Sequence, residues 1–543
     1  MLVTKLLSLC LFAPVALASL QGPFRFSQLT THAQQAPPPG FNHTFQQRYW
    51  FDLSRYRAGS PVLFVDAADK PGETAVQAVK HGIVEHIADA VSAAIVILEQ
   101  RYYGQSYVTP NLTVANLQFL NTEEALADIA YFSSNFPYEA HAGLNSSIRP
   151  GGTPWIAYGS WVSGSKAAFM RKLYPDNIWG AIASSAPLMA VENVWQYLEA
   201  IRLRADPLCV QVITTVVGEV DDEIEQAGFD EHGEIIMTPM LLYYRDLFNL
   251  TRENTVRDFM NQVATPLGLW QRRSWDPSQE DHSAWEYFCN NLTWSIALSD
   301  PDSFSQGSSP VMEPEQYSQF KRQSISNYAH YIRHYLAVGH QTNPSQTSGS
   351  LHTHSHDPVS IKGEIRRNRT ESQKTDLGQV WRLWYWQACT EWGYFSTAEP
   401  APLPAMLSRS LNRYYLTEVC RFAFDFHRQL ILPLLPAADD YRVPVERINK
   451  YGNVTIASPR LLFVNGELDP WLDVTSHSPL AGDLRENTGD GLLLRSHGYG
   501  SERSALPRLE DEPTEIMLAH QKEIDIVKSW VAKWKGSAQF NEL

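Results

Sequence analysis

The stretch that most limits what this chain can fold into runs from Pro154 to Pro187, PWIAYGSWVSGSKAAFMRKLYPDNIWGAIASSAP. Its four-residue apolar run Trp155 to Tyr158 reads as a buried strand, the Gly- and Ser-dense turn that follows as a sharp reversal, the next dozen residues as an amphipathic helix, and GAIAS as a second buried strand. Strand, helix and strand in that order form a parallel unit with a right-handed crossover. A strand that feeds a helix through so tight a turn is also the device that lifts a nucleophilic serine clear of a sheet. The turn, however, does not fit the regular Gly-x-Ser-x-Gly frame: it reads Gly159-Ser160-Trp161-Val162-Ser163-Gly164, and Ser160, Ser163 and Ser165 are its hydroxyls.

The rest of the chain repeats the same grammar. SPVLFVDAAD and AAIVILEQRYYGQS are short apolar runs closed by turn residues, with a helical stretch at about Thr74 to Ser92 between them. QQRYWFDLSRY alternates like an outer strand, and the residues before it read as an exposed lead. Thr122 is the expected N-cap of a helix running to about Asn135. From about residue 191 to 380 helical and aromatic patterns replace strands: NVWQYLEAIRLRAD, Val216 to Gln226, MLLYYRDLF and EQYSQFKRQSISNYAHYIRHYL. Strands resume with Leu461 to Val464 and LLLRSHGYGS, and an amphipathic helix closes the chain at about Glu515 to Lys535. The expected architecture is an α/β-hydrolase fold with a mostly parallel sheet and an inserted helical cap. Its boundaries are 1–18 for a signal peptide, 19–190 and 381–543 for the two parts of the hydrolase domain, and 191–380 for the cap.

Length and composition fit that division, since 543 residues exceed one compact core. A net charge of −15 argues against a nucleic-acid partner or an anionic membrane. Lys5 followed by LLSLCLFAPVALA and a small-x-small site ending at Ala18 reads as a cleaved secretory signal, too short for a membrane anchor. Cleavage removes Cys10 and leaves Cys209, Cys289, Cys389 and Cys420, an even set that allows two disulfides in three connectivities. Sequons at Asn42, Asn111, Asn145, Asn249, Asn291, Asn368 and Asn453 point to a glycoprotein, secreted or held in a vacuolar or lysosome-like compartment. The tract around His352, His354 and His356, within residues 340–357, reads as a polar loop rather than a metal site. No cofactor or metal is expected, and the oligomeric state, a homodimer included, is left open.

The chemistry needs three residues in chain order, nucleophile, acid and His, each at the carboxyl end of a strand. Asp469 lies just past Leu461 to Val464, and His497 just past the following strand. A serine hydroxyl attacks only once an imidazole accepts its proton, and the imidazole needs a carboxylate to fix its tautomer. With Ser160 as nucleophile, the Trp161 N–H would be an oxyanion donor, with a second from the loop at Asp66 to Asp69.

Six segments, QQRYWFD, ILEQRYYGQS, NLQFLNTEEALADIAYF, AAFMRKLYPDNIWGAIASSAP, WYWQACTEWGYF and FVNGELDPW, resemble the serine carboxypeptidase family of lysosomal Pro-X carboxypeptidase and dipeptidyl peptidase II, in a secreted fungal form. The resemblance spans nearly the whole mature chain. It implies hydrolysis of peptides after proline or a small residue by Ser160, Asp469 and His497, Asp469 matching the family's Asn-Gly-x-x-Asp-Pro-Trp. It implies disulfides Cys389–Cys420 and Cys209–Cys289. Glu391 and Trp392, in ACTEW, are candidate pocket residues. Where the family has a His-His-x-Asp-like stretch, Ser496-His497-Gly498-Tyr499-Gly500 keeps one His. Two rivals remain: a catalytically inactive glycoprotein of the same fold that acts as a binding module, and a lipase or esterase.

Overall fold

A computed structural model describes residues 20–33, 37–141, 144–231, 233–250, 255–279, 282–296, 312–341, 373–424, 442–481 and 491–534. The expected signal peptide, the His tract at 352–356 and Asn368 lie outside the described residues.

The centre is an eight-stranded sheet in the order β1-β2-β4-β3-β5-β6-β9-β10. Its strands are β1 (Gln21–Leu29), β2 (Thr44–Asp52), β3 (Val62–Asp66), β4 (Ala94–Leu98), β5 (Trp155–Ser160), β6 (Gly180–Ser184), β9 (Leu461–Gly466) and β10 (Gly491–Leu494). β1 pairs antiparallel with β2, and β2 antiparallel with β4; every other pairing is parallel. A short pair, β7 (Val191–Asn193) with β8 (Gly393–Phe395), forms a second sheet. This is the α/β-hydrolase class expected from the strand and helix order.

The inner strands are continuous apolar runs because both faces are covered. Leu63, Ile95, Ile97, Ile182 and Val464 face helices α1 (Gly72–Lys80) and α2 (Ile83–Val91) and the last helix, Thr514–Ala532. Phe64, Val96, Ala157, Ala183 and Phe463 face α3 (Thr122–Ser134) and α4 (Val162–Leu173). Two sequence expectations change. The outer strand is β1, taken from the sequence as an exposed lead, and β2 is an inner strand with most of its residues buried. The single helix expected over Thr74 to Ser92 breaks at His81 and Gly82, where a Cβ on Gly82 would strike the Arg503 carbonyl at 2.6 Å.

Between β6 and β9 the chain is chiefly helical: α5 (Gln196–Arg204), α6 (Pro207–Ala227), α7 (Pro239–Leu247), α8 (Val256–Ala264), α9 (Ala284–Leu292), α10 (Pro314–Gln341), α11 (Trp381–Gln387) and α12 (Arg413–Phe424). Cys209 on α6 is bonded to Cys289 on α9, and Cys389, just after α11, to Cys420 on α12. The last helix of the fold, α13 (Thr514–Ala532), packs across α2 and behind β6. No helix among the described residues is long and apolar enough to cross a membrane.

Candidate active site

The elbow is built from small residues at two places where backbone meets backbone. A Cβ on Gly159 would sit 2.4 Å from the Ser163 backbone, and one on Gly164 would sit 2.9 Å from the Gly159 carbonyl oxygen. With those clearances the chain leaves β5 and enters α4 within one residue. That residue is Trp161, at φ 59° and ψ −136°. A positive φ on a bulky residue is a strained conformation held by its surroundings, and it is the conformation of the nucleophile in an elbow of this kind. Trp161, and not Ser160, is therefore the residue at the strained position of the turn.

Ser160 is one residue too early. It is still paired in β5, opposite Ser184 of β6, and its hydroxyl is buried beside that of Tyr499. The Trp161 N–H donates to the Ser184 carbonyl at 3.1 Å, which corrects its expected role as an oxyanion donor: the ladder bond occupies it. The hydroxyls of Ser163 and Ser165 donate to the carbonyls of Asp66 (2.8 Å) and Pro187 (2.7 Å), so both tie the turn together. The second expected oxyanion element, the loop from Asp66, is filled by an ion pair between Asp66 and Lys166 of α4.

Asp469 arrives where the sequence places it, past the end of β9, fully buried. One carboxylate oxygen accepts from the Trp471 N–H at 2.9 Å, and the Ser185 hydroxyl lies against the carboxyl. Burial pushes its pKa up to about 7. His497 does not meet it. The His497 carbonyl accepts from the Leu468 N–H at 2.8 Å, while its ring points to Glu515 of α13, 3.7 Å away. Burial lowers the imidazole pKa, partly offset by Glu515. Among the described residues no hydrogen bond joins any two of Ser160, Asp469 and His497, so the expected triad is not assembled in this structure.

The residue that does meet the site is Tyr499, two positions on, which the sequence reading passed over. Its ring lies edge-on to Trp161 at 6.0 Å, its hydroxyl lies on the side of Ser160, and Asp469 is among the charges it feels. Burial raises its phenol well above the ordinary range, so it is a neutral donor there and no proton acceptor. The signal that could have found it is the altered His-His-x-Asp-like stretch, which keeps His497 and places an aromatic residue, Tyr499, two positions on.

Around Trp161 the site is aromatic. Trp471 lies 4.4 Å from it, Tyr394 and Tyr499 6.0 Å, and Trp384 6.4 Å; Tyr197 packs on Trp471 at 5.0 Å. Trp471 also donates to Gln271 at 3.0 Å, which links the helical segment to the site. Glu391, expected in the pocket, is instead a fastening. Its carboxyl accepts from the Thr122 N–H and hydroxyl, each at 3.0 Å, and burial lifts its pKa to about 7. The N-cap of α3 is accordingly Asn121, which accepts from the Glu124 N–H, rather than Thr122. Trp392 is fully buried, with its ring 6.0 Å from Tyr394 and one layer behind Trp161. Of the sequons, Asn42, Asn145 and Asn249 are exposed, and Asn111, Asn291 and Asn453 half-buried.

Comparison with known proteins adds ancestry to this geometry. A family model described as serine carboxypeptidase S28 matches residues 40–239 and 275–484. The chain is 30% identical over 507 residues to a probable extracellular serine carboxypeptidase of Arthroderma benhamiae, covering 91% of this chain and 65% of that protein. It is 24% identical over 468 residues to the serine protease vicPb of Bipolaris victoriae, covering 86% and 80%. Over 147 residues, 26% of this chain and 27% of the relative, it is 32% identical to prolyl carboxy peptidase like protein 5 of Caenorhabditis elegans. A carboxyl esterase from Bacillus coagulans aligns over 95% of this chain and 99% of its own at 9% identity and a TM-score of 0.32, which adds nothing to what the strand order establishes.

Proposed function

Because the chain belongs to the serine carboxypeptidase S28 family, and so to the serine-peptidase class, we propose that it is a secreted, glycosylated member that recognises peptides and has lost the serine nucleophile. The single observation that carries this reading is Trp161 at the strained elbow position. A nucleophile there must present a hydroxyl or thiol to the substrate carbonyl, and an indole has neither. The base is out of place as well: the His497 ring is turned to Glu515, and Tyr499, edge-on to Trp161, has a phenol that cannot take up a proton near neutral pH. Peptide is the ligand class because the family acts on peptides and the site is lined by aromatic rings, which stack on proline and apolar side chains. The helical segment between β6 and β9 serves as the cap over it. The extracellular relative and the expected signal agree with secretion.

A second reading keeps hydrolysis after proline or a small residue, with Ser160 attacking, His497 as base and Asp469 as its support. Its support is the position of Ser160, one residue from the elbow and beside Tyr499. The two readings separate by incubating the full chain with proline-containing peptides while following binding by calorimetry and cleavage by mass spectrometry. Binding without cleavage is expected. Cleavage that disappears in Ser160→Ala would overturn the proposal in favour of the second reading.

A further inference from the structure

The aromatic residues around the elbow are closed off from solvent. Trp161 is 3% and Trp471 1% exposed, and Tyr197, Trp384 and Tyr394 are buried with them. Any ligand of this site must therefore displace what covers it. The element laid across Trp471 is the run that follows α8, the helical turns Thr265–Arg272 and the residues on to Trp275. Trp270 is buried in the core on the elbow side of the sheet, whereas Trp275 packs on the opposite core, which α2 and α13 share. The run thus crosses the end of the sheet at the loops that follow β9 and β10.

Indole N–H groups fasten it there. Trp270 donates to the Leu468 carbonyl at 2.9 Å, beside Asp469, and Trp471 donates back to the side-chain carbonyl of Gln271 at 3.0 Å. Trp275 donates to the Ser501 carbonyl at 2.7 Å, on the loop that carries Tyr499. Gln271 also accepts from the Tyr197 hydroxyl at 3.3 Å, so one amide holds two walls of the site. On the cap side, Trp270 meets Trp285 of α9 edge-on at 5.2 Å, and Arg273 lies over the Trp270 ring and pairs with Glu286 at 2.8 Å. The backbone of the run is tied more loosely. The Arg273 N–H reaches the Trp270 carbonyl at 3.3 Å and the Ser274 N–H the His282 carbonyl at 3.4 Å, both long for amide bonds, and Gln271 to Trp275 are half-buried. A segment held across a site by side-chain bonds and long backbone bonds opens at lower cost than the sheet beneath it.

We propose that residues 265–275 form a strap that gates the aromatic site: latched, it covers Trp471 and Trp161, and its release from the two loops admits the ligand. What enters is peptide in the reading proposed above, on which that part of the inference rests. The latching itself rests on the bonds of the strap. Because Trp270, Gln271 and Trp275 stand on one short run, losing the bond of any one of them shifts the whole strap toward its open state.

The test alkylates indoles of the full chain with hydroxynitrobenzyl bromide and follows each tryptophan by peptide mapping. It needs no peptide ligand, so failure of the gate and failure of peptide recognition are told apart. Trp294, 73% exposed, sets the rate of an open indole, and Trp155, buried at the start of β5 and remote from the elbow, reports general loosening. In the wild type, Trp161 and Trp471 should react far more slowly than Trp294. Gln271→Ala and Trp275→Phe remove bonds to different loops. Each should speed the reaction of Trp161 about fivefold, the weight of one ordinary hydrogen bond, with Trp155 unchanged. Trp270→Phe stands in for either variant that does not fold. A wild-type Trp161 as reactive as Trp294, a rise in one variant or in none, or Trp155 rising in step with Trp161 would each overturn the proposal.

Discussion

In the reading proposed above, Trp161 and Tyr499 together turn a site for proton transfer into a site for packing. An elbow holds its residue in strained backbone so that a small reactive side chain projects into the cleft. Here the strain is kept, and the side chain it projects is an indole against Trp471. Gly159 keeps the elbow closed regardless of chemistry. Gly159→Ala would drive a Cβ into the Ser163 backbone, and urea denaturation should report a loss of about 1–3 kcal/mol, the usual cost of overpacking. Glu391 acts at the same scale without being catalytic. Glu391→Ala leaves the buried Thr122 N–H without its acceptor and should cost about 1–3 kcal/mol in the same measurement. An unchanged midpoint would mean that water replaces the carboxyl.

Among the elements, what the sequence made legible was what burial dictates. VLFV, AIVIL and LLFV are apolar throughout because helices cover both faces of the sheet, so the strands and their parallel order could be read directly. The segments that carry the family resemblance are likewise largely structural. Glu99 of ILEQRYYGQS accepts from Arg48, the Gly72 N–H and the Ser106 hydroxyl, and Arg101 pairs with Asp128 of α3. Asp469 was legible because a strand end fixes its place. His497 and Tyr499 were not, since a loop has no periodicity to say which of two rings turns inward. The place of Ser160 was not legible for a related reason: a shift of one residue at the elbow decides between the strand and the strained position, and only backbone angles distinguish them. Among the helices, the bond between Cys209 and Cys289 ties α6 to α9 across 80 residues of chain. Replacing both by Ser should lower stability by about 2–5 kcal/mol, read as a lower midpoint in non-reducing urea titration.

For the whole molecule, several buried acids give stability a direction. Asp469, Glu391 and Glu399 are each raised by burial to about 7 from ordinary values of 3.8 to 4.5. Between those limits the folded chain holds protons that the unfolded chain has released. Stability should therefore fall as the pH rises from about 4.5 to about 7 and level off above it, a profile suited to an acidic compartment or medium. Thermal unfolding across that range checks this, and a maximum on the alkaline side would contradict it. The central claim, that the elbow carries no nucleophile, is tested most directly with a fluorophosphonate probe, intact mass and peptide mapping on the wild type and on Trp161→Ser combined with Tyr499→His. The wild type should remain unlabelled, and the double variant should acquire a single adduct at position 161. An adduct on Ser160 of the wild type would contradict the account.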